Sequence, residues 1–211
     1  MGADLVRVFG PRFVALVASG LRSSVAFATE IQPSDLDALG AIRDTWHRDG
    51  LDTPLLLTPD EFRRSLDAFP LEYQAIVDQH LVVAGHAPFE HVSVDPQHLR
   101  RACEVQAKSH LIHLRQGWIE ASGHDLGAVV ARSAAPLRAL LSNVARLGGV
   151  PASDGDLALA GARLAGLDEI LVRDVLAAEG SPELARRAHG RMPDYIAAAE
   201  RLWAFVDAWT A

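Results

Sequence analysis

A single cysteine, Cys103, in 211 residues excludes an internal disulfide framework, and no Cys/His spacing along the chain matches a structural zinc site. A reducing cytoplasm is therefore the expected location. An excess of positive charge is also missing. Twenty Lys and Arg stand against 27 Asp and Glu, a formal net charge of −7, which excludes a globally basic protein that coats nucleic acid. Any polynucleotide contact has to be a local patch. No window approaches the roughly 18 to 20 apolar residues that cross a bilayer, and residues 1–7 lack a basic leader followed by an apolar core, so no membrane partner is expected. The glycine patterns of a phosphate loop, a dinucleotide turn and a Gly-x-Ser-x-Gly elbow are all absent.

What is present changes character along the chain. The first part alternates strand and helix signals. Residues 13–18 and 25–29 are short apolar runs bounded by Gly and Ser, which suits buried strands. Pro33-Ser34-Asp35 opens a helix whose Leu36, Leu39, Ile42 and Trp46 share a face, and Gly50 closes it. Residues 55–57 read as a third strand. Thr58-Pro59-Asp60-Glu61 is a capping sequence for a helix through Leu66, because Thr58 can accept from a free first-turn amide and Glu61 can answer it. Pro70 interrupts that helix, a shorter one follows to His80, and residues 81–84 form a last strand candidate.

From Asp95-Pro96 onward no strand signal appears, and Ala, Leu and Arg recur at helical spacing. Helices are expected over roughly 96–121, 125–147, 153–164, 167–178 and 191–209, broken at Ser122-Gly123, residues 148–151, Gly166 and Gly180-Ser181-Pro182. The reading is an α+β chain: a small mixed sheet with flanking helices in residues 1–90, then an all-α helical bundle in residues 91–211, with the boundary segment near 88–95.

Residues 9–20 and 23–31, the stretch from Thr53 through Phe69-Pro70-Leu71-Glu72, then His98 to Glu104 and Lys108 to Gly117, resemble bacterial proteins that join a nucleotidyltransferase-like domain of the DNA polymerase beta type to a C-terminal helical domain. The resemblance covers residues 9–121. It implies a nucleoside triphosphate site at a Gly-Ser turn after the first strand, and catalysis by two Mg²⁺ ions held by an Asp-x-Asp on the second. Here Ser19-Gly20 stands in reversed order, the following loop is shortened to Leu21-Arg22, and Ser24 and Ala26 occupy the acid positions. No acid interrupts Leu55-Leu56-Leu57. Neither Ser nor Ala supplies the carboxylate charge that two-metal transfer depends on, so no catalytic residue, metal ligand or cofactor is assigned. Mg²⁺ enters only if Glu30, Asp35 or Asp37 has taken over; Asp35 and Asp37 more simply complement the dipole of a first helical turn.

The resemblance to a nucleotide site leaves Ser19, Gly20 and Arg22 as candidates. Arg101, Lys108 and Arg115 join them, recurring every seven residues on one side of a long helix as a basic stripe that suits phosphate or RNA backbone. Glu104 is placed to neutralise that stripe by pairing with Lys108. His110 and His113 share a helical face but lack a third ligand, which favours a packed or rim histidine over a metal site. The histidines at 80, 86, 91 and 98 have no ligand grammar, and no Arg precedes a His with the four to six intervening residues of the RNases that such helical domains sometimes resemble. Cys103 falls mid-helix on an apolar face, where it is inert. The last helix spreads Trp203, Trp209 and several aliphatics over more than one face, which suits core or a docking surface for a partner or second copy.

The expected function is a catalytically inactive nucleotidyltransferase-like protein that binds a nucleotide or a macromolecule. The alternatives are a divergent metal-dependent nucleotidyltransferase and a helical dimerisation module.

Overall fold

Phe13–Ser19 (β1) and Ser23–Ala28 (β2) pair antiparallel in the described residues, with Ser19 opposite Ser23 and Leu16 opposite Ala26. Leu55–Leu57 (β3) adds parallel to β2, and Leu81–Gly85 (β4) adds antiparallel to β1, so the sheet order is β3-β2-β1-β4. The computed structural model describes residues 1–19, 23–121, 125–151 and 155–210, and divides into two units, Met1–Asp95 and Pro96–Ala211. The first unit runs five residues past the expected end at 90. Phe89 and Val92 explain this, since both pack on the sheet's apolar cluster after β4 has ended.

Both faces of the sheet are covered, which is why its central strands read as unbroken apolar runs rather than as alternation. One face carries Leu16, Ala26 and Ala28 beneath Leu5 and Phe9 of α1 (Gly2–Phe9) and Leu39 and Trp46 of α2 (Pro33–Arg48). The other carries Ala15, Val17, Val25 and Phe27 beneath Phe62 of α3 (Pro59–Arg64) and Tyr73 and Ile76 of α4 (Pro70–Asp78). Phe27 meets Phe62 edge to face with centroids 5.6 Å apart, and Phe62 stacks on Tyr73 at 4.4 Å. Helix α1 is not anticipated by the sequence reading. Its Leu5 and Phe9, one turn apart, form a short apolar face, and Asp4 anchors it by accepting from the buried Trp46 Nε1 at 2.9 Å.

Local chemistry sets the helix ends. Thr58 Oγ1 accepts from the Glu61 amide at 3.1 Å while Glu61 accepts from the Thr58 amide at 2.7 Å, the reciprocal cap expected. Helix α3 stops at Arg64, one turn-end short of Leu66. Gly50, just beyond α2, has φ of 74°, a left-handed conformation that glycine takes without steric cost.

The second unit is helical throughout its described residues: α5 (Pro96–Ala121), α6 (Leu126–Leu147), α7 (Leu157–Leu164), α8 (Glu169–Ala177), α9 (Pro182–Ala188) and α10 (Met192–Asp207). Helix α6 is the hub, packing against α5, α7, α8 and α9, while α10 packs along α5. Where α7 crosses α6, a Cβ on Gly161 would stand less than 2 Å from the Leu141 carbonyl oxygen, so only glycine permits that approach. Helix α7 starts later than residue 153 because Asp156 caps the amides of Ala158 and Leu159; residues 152–154 lie outside the described residues, as do Ser122 and Gly123. Gly180-Ser181-Pro182 ends one helix as expected, but Pro182 also begins α9, a first-turn role for which its fixed φ suits it. No described helix is long and apolar enough to cross a membrane.

Candidate functional site

Three places answer to the sequence candidates or replace them. The first is the hairpin end of the sheet. Ser19 closes β1 opposite Ser23, while Gly20 and Arg22 lie outside the described residues. The two positions where the resemblance expects metal-binding acids take different surroundings. Ser24 is half-buried, with its hydroxyl 3.9 Å from the Met1 sulfur. Ala26 is 1% exposed and belongs to the cluster of Leu5, Phe9, Leu16, Leu39 and Trp46. A groove of about 340 Å³ is found elsewhere; here the cavity is about 310 Å³, walled by Leu16, Leu51 and Val83 with Ser23, Ser24 and Asp52 as its polar groups.

The acids proposed as substitutes are engaged otherwise. Asp35, 4% exposed, accepts both guanidinium nitrogens of Arg12 at 2.7 and 2.8 Å and the Gln32 amide at 2.8 Å. Those hydrogen bonds, with Arg12 first, hold its carboxyl down to about 2. Glu30 accepts from the Gln32 side chain at 3.1 Å, and Asp37 is exposed. Among the described residues no group of three or more His, Cys, Asp and Glu is placed to hold a metal ion.

The second place is the basic stripe on α5. Arg115 pairs with Glu200 at 2.6 Å, and the Lys108 ammonium sits 3.5 Å above the centre of the Trp203 ring. Both partners belong to α10, so two of the three cations are turned toward a neighbouring helix. Arg101 is exposed, with no acid in ion-pair distance among the described residues. Glu104 pairs with Arg100 at 2.9 Å and not with Lys108, because the Arg100 step back along the helix offers the same one-turn spacing.

The third place is absent from the sequence reading as a site. A groove of about 340 Å³ runs between α5 and α6, lined by His110, His113 and Glu120 on one side and Arg132, Ser133 and Pro136 on the other. Two of its lining residues, His110 and Ser133, belong to a hydrogen-bonded chain whose direction can be worked out. Ser133 Oγ donates to the Val130 carbonyl at 2.8 Å, which uses its only proton. Tyr195 therefore donates to Ser133 Oγ, at 3.0 Å, and so uses its own. At the 2.8 Å contact between His110 Nε2 and the Tyr195 hydroxyl, histidine must be the donor. Burial, with His113 as a neighbouring like charge, lowers the His110 pKa to about 4, so the ring is neutral and Nδ1 carries a lone pair. Burial likewise pushes the Tyr195 phenol up, keeping it protonated.

Two features of the helices shape this groove. Gly117 of α5 lies against Val129 of α6 so closely that a Cβ would stand 2.8 Å from the valine Cγ1. One turn beyond Arg132, Pro136 has no amide proton and cannot donate to the Arg132 carbonyl, as any other residue there would. A proline inside a 22-residue helix costs about 3 kcal/mol, and the sequence reading passed over it. His110 itself is packed, the first of the two readings its position allowed. Cys103 is buried, its thiol pushed up to about 12 by burial, as expected of an inert core cysteine.

Comparison with protein-family models, with curated proteins and with solved structures yields no match to this chain.

Proposed function

We propose that the chain is a non-catalytic binding protein whose first unit is a nucleotidyltransferase-like scaffold, and that a nucleoside-type ligand seats in the groove of Ser23, Ser24 and Asp52. The observation that carries this reading is the environment of Ala26. A carboxylate there would be buried beneath α1 and α2, and desolvation would hold it protonated instead of metal-binding. The groove beside it suits recognition rather than phosphoryl transfer. Aliphatic walls at Leu16, Leu51 and Val83 fit the face of a base, and two hydroxyls and one carboxylate fit ribose or base-edge donors, whereas a lone Asp52 repels phosphate.

The test pairs two measurements on the purified chain. Calorimetric titration with adenosine, guanosine, cytidine and uridine is expected to show binding of at least one, lost in Ser24→Leu, which fills the groove. Incubation with the four triphosphates and Mg²⁺ or Mn²⁺ is expected to transfer no nucleotide. Transfer abolished by replacing Glu30, Asp35 and Asp37 together establishes the divergent enzyme instead.

A second reading, self-association through the helical unit, draws on Val105, Ile112 and Ile119. These recur every seven residues on α5 and are 66%, 43% and 77% exposed, a seam of the kind that pairs helices. A monomer in light scattering at high concentration removes that reading.

A further inference from the structure

The two edges of the sheet are finished differently. β3 closes one side; it is three residues long and follows Pro54 directly, so it offers little to another strand. β4 closes the other side, and no further strand pairs with it among the described residues. The charges and prolines that keep such an edge from recruiting a strand are missing there: no Asp, Glu, Lys or Arg occurs from residue 79 to residue 89, and Leu81–Gly85 holds no proline. Its first three side chains are aliphatic and open to solvent, Leu81 at 69%, Val82 at 43% and Val83 at 54% exposure.

The register with β1 fixes how these three are disposed. Leu81 lies opposite Ala18 and Val82 opposite Val17, but Ala84 lies opposite Leu16, so Val83 is the extra residue of a bulge. Residues opposite one another across two strands share a face of the sheet. Val82 is therefore on the side of Val17 and Phe62, and Leu81 is on the other side with Ala18. Val83 joins Leu81 there, since it lines one cavity with Leu16 and Ala18. Alternation holds through residues 81–83 and fails at Ala84, which shares the face of Val83. A strand added outside β4 can thus pair in register with those three residues and no further.

A second copy of the chain supplies the strand that fits. Laid antiparallel about a two-fold axis through Val82, it sets Val82 against Val82 of the copy on one face. On the other face Leu81 meets Val83 of the copy, and Val83 meets Leu81, so each exposed aliphatic is covered by another. The incoming strand is already ordered by its own sheet, whereas a free peptide has to lose its chain entropy on pairing. No charge along this edge opposes the approach of two like chains, despite a net charge of −7.

We infer that two copies of the chain join β4 to β4 in an antiparallel register centred on Val82, which merges two four-stranded sheets into one continuous sheet.

The experiment follows the full chain by sedimentation between about 10 µM and about 1 mM, where a monomer is expected to convert to a dimer. Val82→Lys and Val82→Glu each set like charges opposite one another and should raise the dissociation constant at least about tenfold. An equimolar mixture of the two should restore the dimer, because unlike charges then meet. Circular dichroism checks that each variant is folded. Val82→Cys, a smaller change, gives an independent readout: opposed Cα atoms in an antiparallel pair stand about 4.5–5.5 Å apart, within disulfide reach, so mild oxidation should link this variant to itself. The native chain, whose one cysteine is buried, should stay unlinked. A native chain that remains monomeric at the highest concentration overturns the inference, as does a Val82→Cys protein that does not link. A dimer that persists in Val82→Lys but is lost in Ile112→Lys overturns it in favour of the α5 seam. Val82 does not line the groove of Ser23, Ser24 and Asp52, so nucleoside binding is expected to survive all three Val82 variants, which separates this outcome from that of the first site.

Discussion

The ring of His110 donates to the hydroxyl of Tyr195 across 2.8 Å, joining two residues 85 positions apart and tying α5 to α10. The contact is buried, with His110 at 8% and Tyr195 at 2% exposure, so its protonation state is coupled to folding.

The sign of that coupling is definite. His110 has a folded pKa near 4, below its unfolded value of 6.5, so the unfolded chain binds more protons between those limits and stability falls as pH drops through the window. The loss approaches roughly 3 kcal/mol by pH 4, with Tyr195 protonated throughout. Urea midpoints at pH 7, 5.5 and 4.5 should therefore shift more in the native chain than in His110→Gln. Parallel shifts in the two proteins contradict a neutral buried ring.

Tyr195→Phe removes the middle of the relay. It leaves the His110 Nε2 proton without an acceptor and Ser133 Oγ without a donor, in a site where water has little access, and the expected cost is about 1–3 kcal/mol. Thermal unfolding followed by circular dichroism reads it directly. An unchanged midpoint means that the chain of bonds is not formed in solution.

Ala26→Asp places in the second strand one of the acids that the resemblance expects there. In the cluster of Leu5, Phe9 and Trp46 a carboxylate gains no partner, and a loss of several kcal/mol is expected, with no recovery on adding Mg²⁺. A midpoint that climbs with Mg²⁺ concentration shows instead that an ion reaches this position, and the non-catalytic reading falls.

Asp35→Ala breaks the two-bonded pair with Arg12 and frees the Gln32 amide, so its unfolding midpoint should drop by several degrees. The exposed Asp37→Ala is expected to stay within about one degree, as surface changes do. Equal effects at the two sites remove the structural role assigned to Asp35.

The basic stripe separates by role in the same way. Arg115→Ala loses a surface pair worth about 0.2–1 kcal/mol and Lys108→Met loses its contact with Trp203, while Arg101→Ala should leave the midpoint alone. If all three instead leave stability untouched and weaken RNA or nucleotide binding alike, the stripe is a phosphate surface.

The sheet and most helices were legible because their signals are local. Apolar runs bounded by Gly and Ser, the Thr58–Glu61 cap and the break at Pro70 each depend on residues within a turn of one another. Helix α1 was not legible: its Leu5 and Phe9 make sense only against Leu16 and Trp46, which the chain supplies later. Glu104 was assigned to Lys108 because spacing alone cannot choose between residues one turn to either side. The groove of His110 stayed hidden for a related reason. Histidine 110 reads as an isolated residue until Ser133 and Tyr195, on two other helices, give its ring a direction.

Gly161 sets a different kind of limit. Where α7 rests on the Leu141 carbonyl, the contact is made by main chain against main chain, and no side chain of any size can be added. Saturation mutagenesis at this codon should return glycine alone among functional clones, while the buried neighbour Ala158 accepts at least serine. The identity of the whole helical layer thus rests on a hydrogen atom, and substitutions elsewhere on α6 and α7 are free to accumulate only as long as it is kept.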